Sequence, residues 1–191
     1  MISLMRIKEL TLVSGNKKKA EEVERILKIP IKTLSLDIDE IQTMDQERLT
    51  LHKLNEAHRV VKGPVLVDDV SFEVKVWNGF PGPFIKWLLE EKNDPRLMLK
   101  MLGDEKDRKA KAVLVVGFHD GEKPYVFFGE VKCTVSYEIK GDNGFGWDKV
   151  FIPEGYAQTF AQMDPDLKDS MSHRGRALNK LSDFLKANYE V

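Results

Sequence analysis

Apolar and polar positions along the chain switch between a period near two residues and one near 3.6, and the switches mark the elements. "IKELTLVS" (residues 7–14) predicts a strand running into a Ser-Gly-Asn turn, and 17–28 a helix that Pro30 stops. Residues 31–36 predict a second strand. A carboxylate-rich connection leads to a long helical pattern over 45–61, with Thr43 and Gln46 at capping-box spacing and Gly63-Pro64 as its break. "VLVDD" (65–69) reads as a short buried strand ending in two acids, "SFEVKVW" (71–77) as an alternating strand, and "NGFPGP" as the turn after it. Helices are expected over 84–92 and 95–102, the latter with Asp94 as N-cap and Pro95 at its first position. Strands over 111–119, 125–128 and 130–139 precede a Gly-rich, aromatic-bearing loop region over 141–156. Asp164-Pro165 opens a short helix, and 172–188 forms the last one. The order is mixed α/β in one domain, 1–191, without repeats or a linker-like break in composition.

Helical phase singles out two lysines. In projection, Ala20, Val23, Ile26 and Leu27 fall in one arc of about 120°, with Lys19 inside it and Lys17 and Lys18 outside. Lys17 and Lys18 read as solvated charge. A lysine on the inward face of a first turn meets the positive end of the helix dipole and needs a negative partner. After a strand and a Ser-Gly-Asn turn, this helix start resembles a phosphate cradle of backbone N–H groups. G-x-x-x-x-G-K-[ST] is absent, so it is not the P-loop of nucleotide kinases. Pattern alone leaves phosphate binding and plain solvation both open. On the second helix, Leu49, Leu54, Ala57, Val60 and Val61 span about 140°, and Lys53 falls among them. One inward lysine can snorkel along apolar surface. Two, in a chain with acids at strand ends, point toward a polyphosphate site.

Composition narrows the setting. The 191 residues are 42% hydrophobic and 32% charged, ordinary for a soluble folded chain. A net charge of −1 gives no global basic field, so any nucleic-acid site would have to be local. The lone Cys133 excludes an intramolecular disulfide framework and suits a reducing, cytoplasmic setting. No apolar run approaches a membrane span, and "MISLMRIKEL" lacks the features of a secretory signal. A soluble intracellular protein is expected, with neither nucleic acid nor membrane as partner.

Asp68 and Asp69 close a run of apolar residues, and strand geometry sends neighbours to opposite faces. Carboxylates there suit a Mg²⁺ that also touches phosphates, with Glu40 as a second ligand. Asp37, Asp39 and Asp45 read as caps or solvated loop positions. In "GFGWD" (144–148), Phe145 and Trp147 either stack on a base or anchor the loop to the core. "SHRGRAL" (172–178) starts a helix with Ser172 as N-cap, and His173 and Arg174 there are either donors to an oxygen-rich ligand or solvated. His52 and His58 sit about 240° apart on their helix and cannot share a metal.

Taken together, "SGNKKKAEEVERIL", "GPVLVDD", "NGFPGPFIKWLLE", "GFGWDKVFIPEGYAQTFAQM" and "SHRGRAL" resemble, in order and nearly end to end, the inosine triphosphate pyrophosphatase family. "PGPFIKW" and "GFGWD" are nearest its eukaryotic-type members. The resemblance implies an elongated α/β fold, a central mixed β-sheet with two α/β lobes flanking a substrate cleft, and a homodimer. It implies hydrolysis of non-standard purine nucleoside triphosphates (ITP, dITP, XTP) to the monophosphate and pyrophosphate, with Mg²⁺ or alternatively Mn²⁺. The family's [ST]-x-N-x-x-K motif falls on Ser14, Asn16 and Lys19, around Gly15. Its helical lysine falls on Lys53, and another triphosphate contact on Lys86. Its metal-binding glutamate falls on Glu40 and its paired acids on Asp68 and Asp69, the second being base and metal ligand. The base pocket falls on Phe145, Gly146, Trp147 and Asp148, completed by Lys168, His173 and Arg174.

Three positions depart from the pattern: Val70 for a usual Ser or Thr, Lys149 for a proline, and Asp169 for an Asn. None removes a charged catalytic group, so they bear on substrate preference and turnover. Two other readings stand beside this one. One is a related pyrophosphatase acting on modified pyrimidine or other damaged nucleotides, which a wider substrate panel separates and for which Val70 and Asp169 are the positions of interest. A non-catalytic nucleotide- or RNA-binding module would use Lys17–Lys19 and the loop aromatics, and leaves Glu40 and Asp69 unexplained.

Overall fold

The computed structural model describes residues 6–89 and 94–190. Its chain order is β1 (Leu10–Val13), α1 (Lys17–Leu27), β2 (Ile31–Leu34), α2 (Gln46–Val61), β3 (Val65–Val74), β4 (Pro81–Gly82), α3 (Ile85–Leu89) and α4 (Arg96–Leu102). There follow β5 (Lys109–His119), β6 (Pro124–Val135), β7 (Phe151–Pro153), α5 (Pro165–Met171) and α6 (His173–Asn188), with short 3₁₀ turns at Lys75–Trp77, Gly146–Lys149 and Phe160–Gln162. The seven strands form one mixed sheet in the order β2-β1-β3-β5-β6-β7, with β4 paired to β3. This is the mixed α/β class that the pattern predicts. β1 runs parallel to both β2 and β3, while β4 on β3 and β7 on β6 are antiparallel.

The chain divides into two compact units, one of residues up to 69 with 114–129 and 174 onward, the other of 70–113 and 130–173. In the first, β1 lies between β2 and β3, so the chain leaves β1 in one direction and later returns on its other side. Ligands in parallel α/β sheets bind beyond the carboxyl ends of strands at such a reversal. The registers Thr11 to Val65 and Leu12 to Leu66 carry on to set Ser14 level with Asp68. Leu54, Ala57, Val65 and Val67 form a buried cluster beneath α2. Gly117 makes their close approach possible, because a Cβ there would lie 3.0 Å from Val67 and 3.1 Å from Thr50. In the second unit Phe72, Ile85, Met98, Val131, Phe151 and Phe160 belong to one buried cluster. Arg108 is also buried there and donates to the carbonyls of Gly103, Val135 and Ser136 at 2.9–3.0 Å.

Several local expectations change. The two runs over 65–69 and 71–77 are one strand, β3, because Val70 continues the extended backbone between them. Likewise β6 joins 125–128 to 130 onward through Gly129 and ends at Val135. The N-cap of α2 is Asp45, whose side chain accepts from Arg48 N–H at 3.0 Å, while Thr43 Oγ1 accepts from Asp45 N–H instead of closing a capping box with Gln46. Val60 is 60% exposed, whereas its neighbour Val61 packs against the cluster, so the inward arc of α2 is narrower than expected. α4 begins at Arg96, although Asp94 still accepts from the Arg96 N–H. α3 is described over Ile85–Leu89, and the remainder of the expected 84–92 helix from residue 90 lies outside the described residues.

Candidate active site

The start of α1 is shaped by two short side chains. Ser14 Oγ accepts from Asn16 N–H at 3.1 Å, and Asn16 Oδ1, as N-cap, accepts from Lys19 N–H at 3.2 Å. Gly15 has ordinary backbone angles, and a Cβ there would meet only Ser35 Oγ at 3.6 Å. Its smallness is therefore not demanded by the turn itself. Lys17 and Lys18 are exposed, whereas Lys19 is half-buried with its ammonium 2.8 Å from Asp68 Oδ1. That carboxylate offsets the positive end of the helix.

The adjacent acids of β3 take different partners, as neighbours on a strand must. Asp68 is held by Lys19 and by Arg174, whose second terminal nitrogen lies 3.4 Å away. The other end of the Arg174 guanidinium lies 2.5 Å from the buried Glu22. Lys53 Nζ, from α2, sits 2.9 Å from Asp69 Oδ2, 3.1 Å from Glu40 Oε1 and 3.3 Å from the Asp68 carbonyl. Gln46, about two turns earlier on α2, donates to the Asp69 carbonyl at 3.0 Å.

These partners separate the two acidities. Burial pushes both carboxyl groups upward. For Asp68 the charges of Lys19 and Arg174 outweigh it and hold the carboxyl well below the usual carboxylate range. For Asp69 burial prevails over the partial offset from Lys53, so its carboxyl stands above that range. Burial would lower the Lys53 ammonium, but Asp69, Glu40 and Asp68 together raise it and keep it charged. Asp69 Oδ1 is buried without a hydrogen-bond partner among the described residues.

In the second unit a glycine-dependent loop presents a separate group of side chains. Gly144 has φ +71°, and a Cβ there would fall on the Asp148 carboxylate. Asp148 Oδ2 accepts from Phe145 N–H at 2.9 Å and pairs with Lys168 at 2.8 Å, both residues being buried. The Lys168 ammonium lies 5.3 Å from the Phe145 ring centre, within cation–π range. Trp147 packs on Phe72 and His173, with ring centres 5.3 and 6.3 Å apart.

A family model described as the Ham1 family matches residues 10–184. The chain belongs to the Ham1 family. It is 37% identical over 190 residues to the inosine triphosphate pyrophosphatase of Scheffersomyces stipitis, an alignment covering 92% of this chain and 97% of the relative. The Candida albicans inosine triphosphate pyrophosphatase is 35% identical over 199 residues, with the same coverage. Among solved structures, the Staphylococcus aureus Ham1 protein superposes with a TM-score of 0.82 at 27% identity, over 94% of this chain and 99% of that one. The HAM1 protein of Coxiella burnetii gives 0.81 at 27%, over 95% and 100%.

Within this Ham1 fold, Ser14, Asn16, Lys19, Glu40, Lys53, Asp68, Asp69 and Arg174 all belong to the first unit, and Phe145, Gly146, Trp147, Asp148, Lys168 and His173 to the second. Arg174, expected beside the base pocket, has its terminal nitrogens on Glu22 and Asp68. Lys86 is exposed on α3, its ammonium 5.3 Å from the Trp87 ring centre. Sequence reasoning missed Glu22 and Gln46. Glu22 is three residues after Lys19 and so shares its helical face, a signal available in the sequence.

The family implies a divalent cation, and the side chains here fit one. Glu40 and Asp69 aim carboxylate oxygens at a single positive charge, and the second oxygen of Asp69 is unpartnered and buried. No group of three or more metal-ligating side chains gathers among the described residues. Two carboxylates suit Mg²⁺, which keeps waters and shares phosphate oxygens. Asp68, with both oxygens engaged by cations, fits that ligand set less well.

Proposed function

We propose that this Ham1-family chain hydrolyses non-standard purine nucleoside triphosphates, ITP, dITP and XTP, to the nucleoside monophosphate and pyrophosphate. The observation that carries the reading is the opposed acidity of Asp68 and Asp69, each tied to its own lysine. Lys19 and Lys53 exchange carboxylate oxygens for those of the polyphosphate and offset its charge. Asp69, with its raised affinity for a proton, takes one from the attacking water as that water's oxygen bonds to the α-phosphorus. The bond from the α-phosphorus to the bridging oxygen breaks, and its electron pair leaves with pyrophosphate. Arg174 holds Asp68 ionised, and Glu22 fixes Arg174.

The reading includes Mg²⁺, or Mn²⁺ in its place, held by Glu40 and Asp69. When bound, such an ion supplies positive charge against the phosphates and acidifies water. The base is assigned to Phe145–Asp148 with Lys168, His173 and Arg174, where donors to a 6-oxo group disfavour adenine. The whole chain, 1–191, acts as one catalytic domain, as a homodimer, in the cytoplasm.

Pyrophosphate release from ITP, XTP, GTP and ATP with Mg²⁺ tests it, alongside Asp69→Asn. Preference for ITP and XTP and loss of turnover by about 10²–10⁴ in the variant are expected. An unaffected variant refutes the mechanism. Equal rates on all four substrates refute the specificity and favour a pyrophosphatase for other modified nucleotides.

A further inference from the structure

A groove of about 750 Å³ lies within the second unit, walled by Lys75, Lys109, Lys111 and Lys132 with Glu73 and Glu154. None of these residues has a part in the site described above. The volume is that of a pocket for a small organic ligand. Strand alternation makes it. On β5, Lys109 and Lys111 face outward while Ala110 is buried, and on β6 Glu130, Lys132 and Thr134 face outward while Val131 and Cys133 are buried.

Charges in the groove are unevenly satisfied. Lys111 sits 3.3 Å from Glu73 and 3.0 Å from Glu130, and Lys75 sits 2.7 Å from Asp107. The side chains of Lys109 and Lys132 make no ion pair or hydrogen bond among the described residues, although the Lys109 backbone N–H donates to Asp107 Oδ1 at 3.3 Å. The Asn78–Gly79 turn closes one wall, with Asn78 held at φ 52° by its N–H on the Lys75 carbonyl. Both ammonium-bearing side chains line the same groove without a carboxylate at ion-pair distance, and a compact anion there would supply the negative partner. The acids Glu73 and Glu154 in the same wall disfavour a long polyanion such as nucleic acid.

We propose that this groove binds a phosphate-bearing small molecule of nucleotide size, its phosphate oxygens held by Lys109 and Lys132. Binding here does not depend on the pyrophosphatase reading, and it is measured without turnover. The full chain, labelled for amide NMR, is titrated separately with inosine monophosphate and with inorganic pyrophosphate. Amide shifts at Asn78, Gly79, Lys109, Lys111, Lys132 and Thr134 are expected. Shifts with the monophosphate support a phosphomonoester with its organic body as the ligand class, and shifts with pyrophosphate alone overturn a ligand of nucleotide size. Lys109→Ala with Lys132→Ala should weaken the groove response about tenfold, and Lys109→Arg with Lys132→Arg should restore it. Groove amides silent to both probes at millimolar concentration, or a double-alanine protein with unchanged groove affinity, overturn the proposal.

Discussion

Asp68 and Asp69 are consecutive residues of β3 whose carboxyl groups are pushed in opposite directions, Asp68 down by Lys19 and Arg174 against its burial, Asp69 up by its burial. Paired groups with separated acidities are how one site holds a fixed charge beside a proton acceptor. The separation depends on geometry, since both are aspartates one peptide apart.

Stability should therefore depend on pH through Asp68. Its folded carboxyl lies below its unfolded value, so its contribution is present above the unfolded value near ~3.9 and is lost as pH falls through the depressed folded one. Asp68→Asn removes the carboxylate from Lys19 and from one end of the Arg174 guanidinium, whose other end stays on Glu22, and should cost about 3 kcal/mol at neutral pH. Urea unfolding of both proteins from neutral pH downward checks this, with the gap closing as Asp68 takes up its proton. A gap that stays constant with pH would exclude the ion pairs as its source.

The three lysines opening α1 should separate cleanly. Lys17→Ala and Lys18→Ala remove exposed charge and should leave kcat/KM on ITP near its original value. Lys19→Ala removes the ammonium that lies on Asp68 and should lower kcat/KM about a hundredfold. Steady-state kinetics on the three variants decide it, and similar losses at all three would mean a diffuse charge effect.

Much of this site is legible locally, because helical phase turns Lys19 and Lys53 inward and strand alternation separates Asp68 from Asp69. What is not legible is non-local. Arg174 meets Glu22 and Asp68 across 152 and 106 residues of chain, and no periodicity reports such pairs. The boundaries misread by pattern are places where one long strand carries residues that suggested a break, the paired acids Asp68 and Asp69 in β3 and Gly129 in β6. In α2 the polar sequence before Gln46 offers two caps, Thr43 and Asp45, and only backbone geometry chooses Asp45.

Arg108 is the buried cation that pattern did not reveal, and its role is structural. Its guanidinium satisfies three carbonyls and lies 4.3 Å from the Tyr137 ring centre. Arg108→Met keeps most of the volume but leaves those carbonyls without their donor, and should cost about 3 kcal/mol. Chemical unfolding measures the loss, and a change below about 0.5 kcal/mol would mean that water replaces the guanidinium without penalty.

Lys53 holds the position where Glu40 and Asp69 converge, so its removal should move two properties in opposite directions. Lys53→Met deletes the ammonium between two carboxylates and should tighten Mn²⁺ binding about tenfold, because like-charge competition is gone. The same change removes the ammonium proposed to hold phosphate and should lower kcat/KM about a hundredfold even at saturating metal. Paramagnetic relaxation of water protons reads Mn²⁺ affinity, and pyrophosphate release reads turnover. Chelation should abolish activity in the unmodified chain, with Mg²⁺ restoring it. Weaker Mn²⁺ binding in Lys53→Met would show that the lysine organises the carboxylates for the ion, and unchanged binding would place the ion elsewhere.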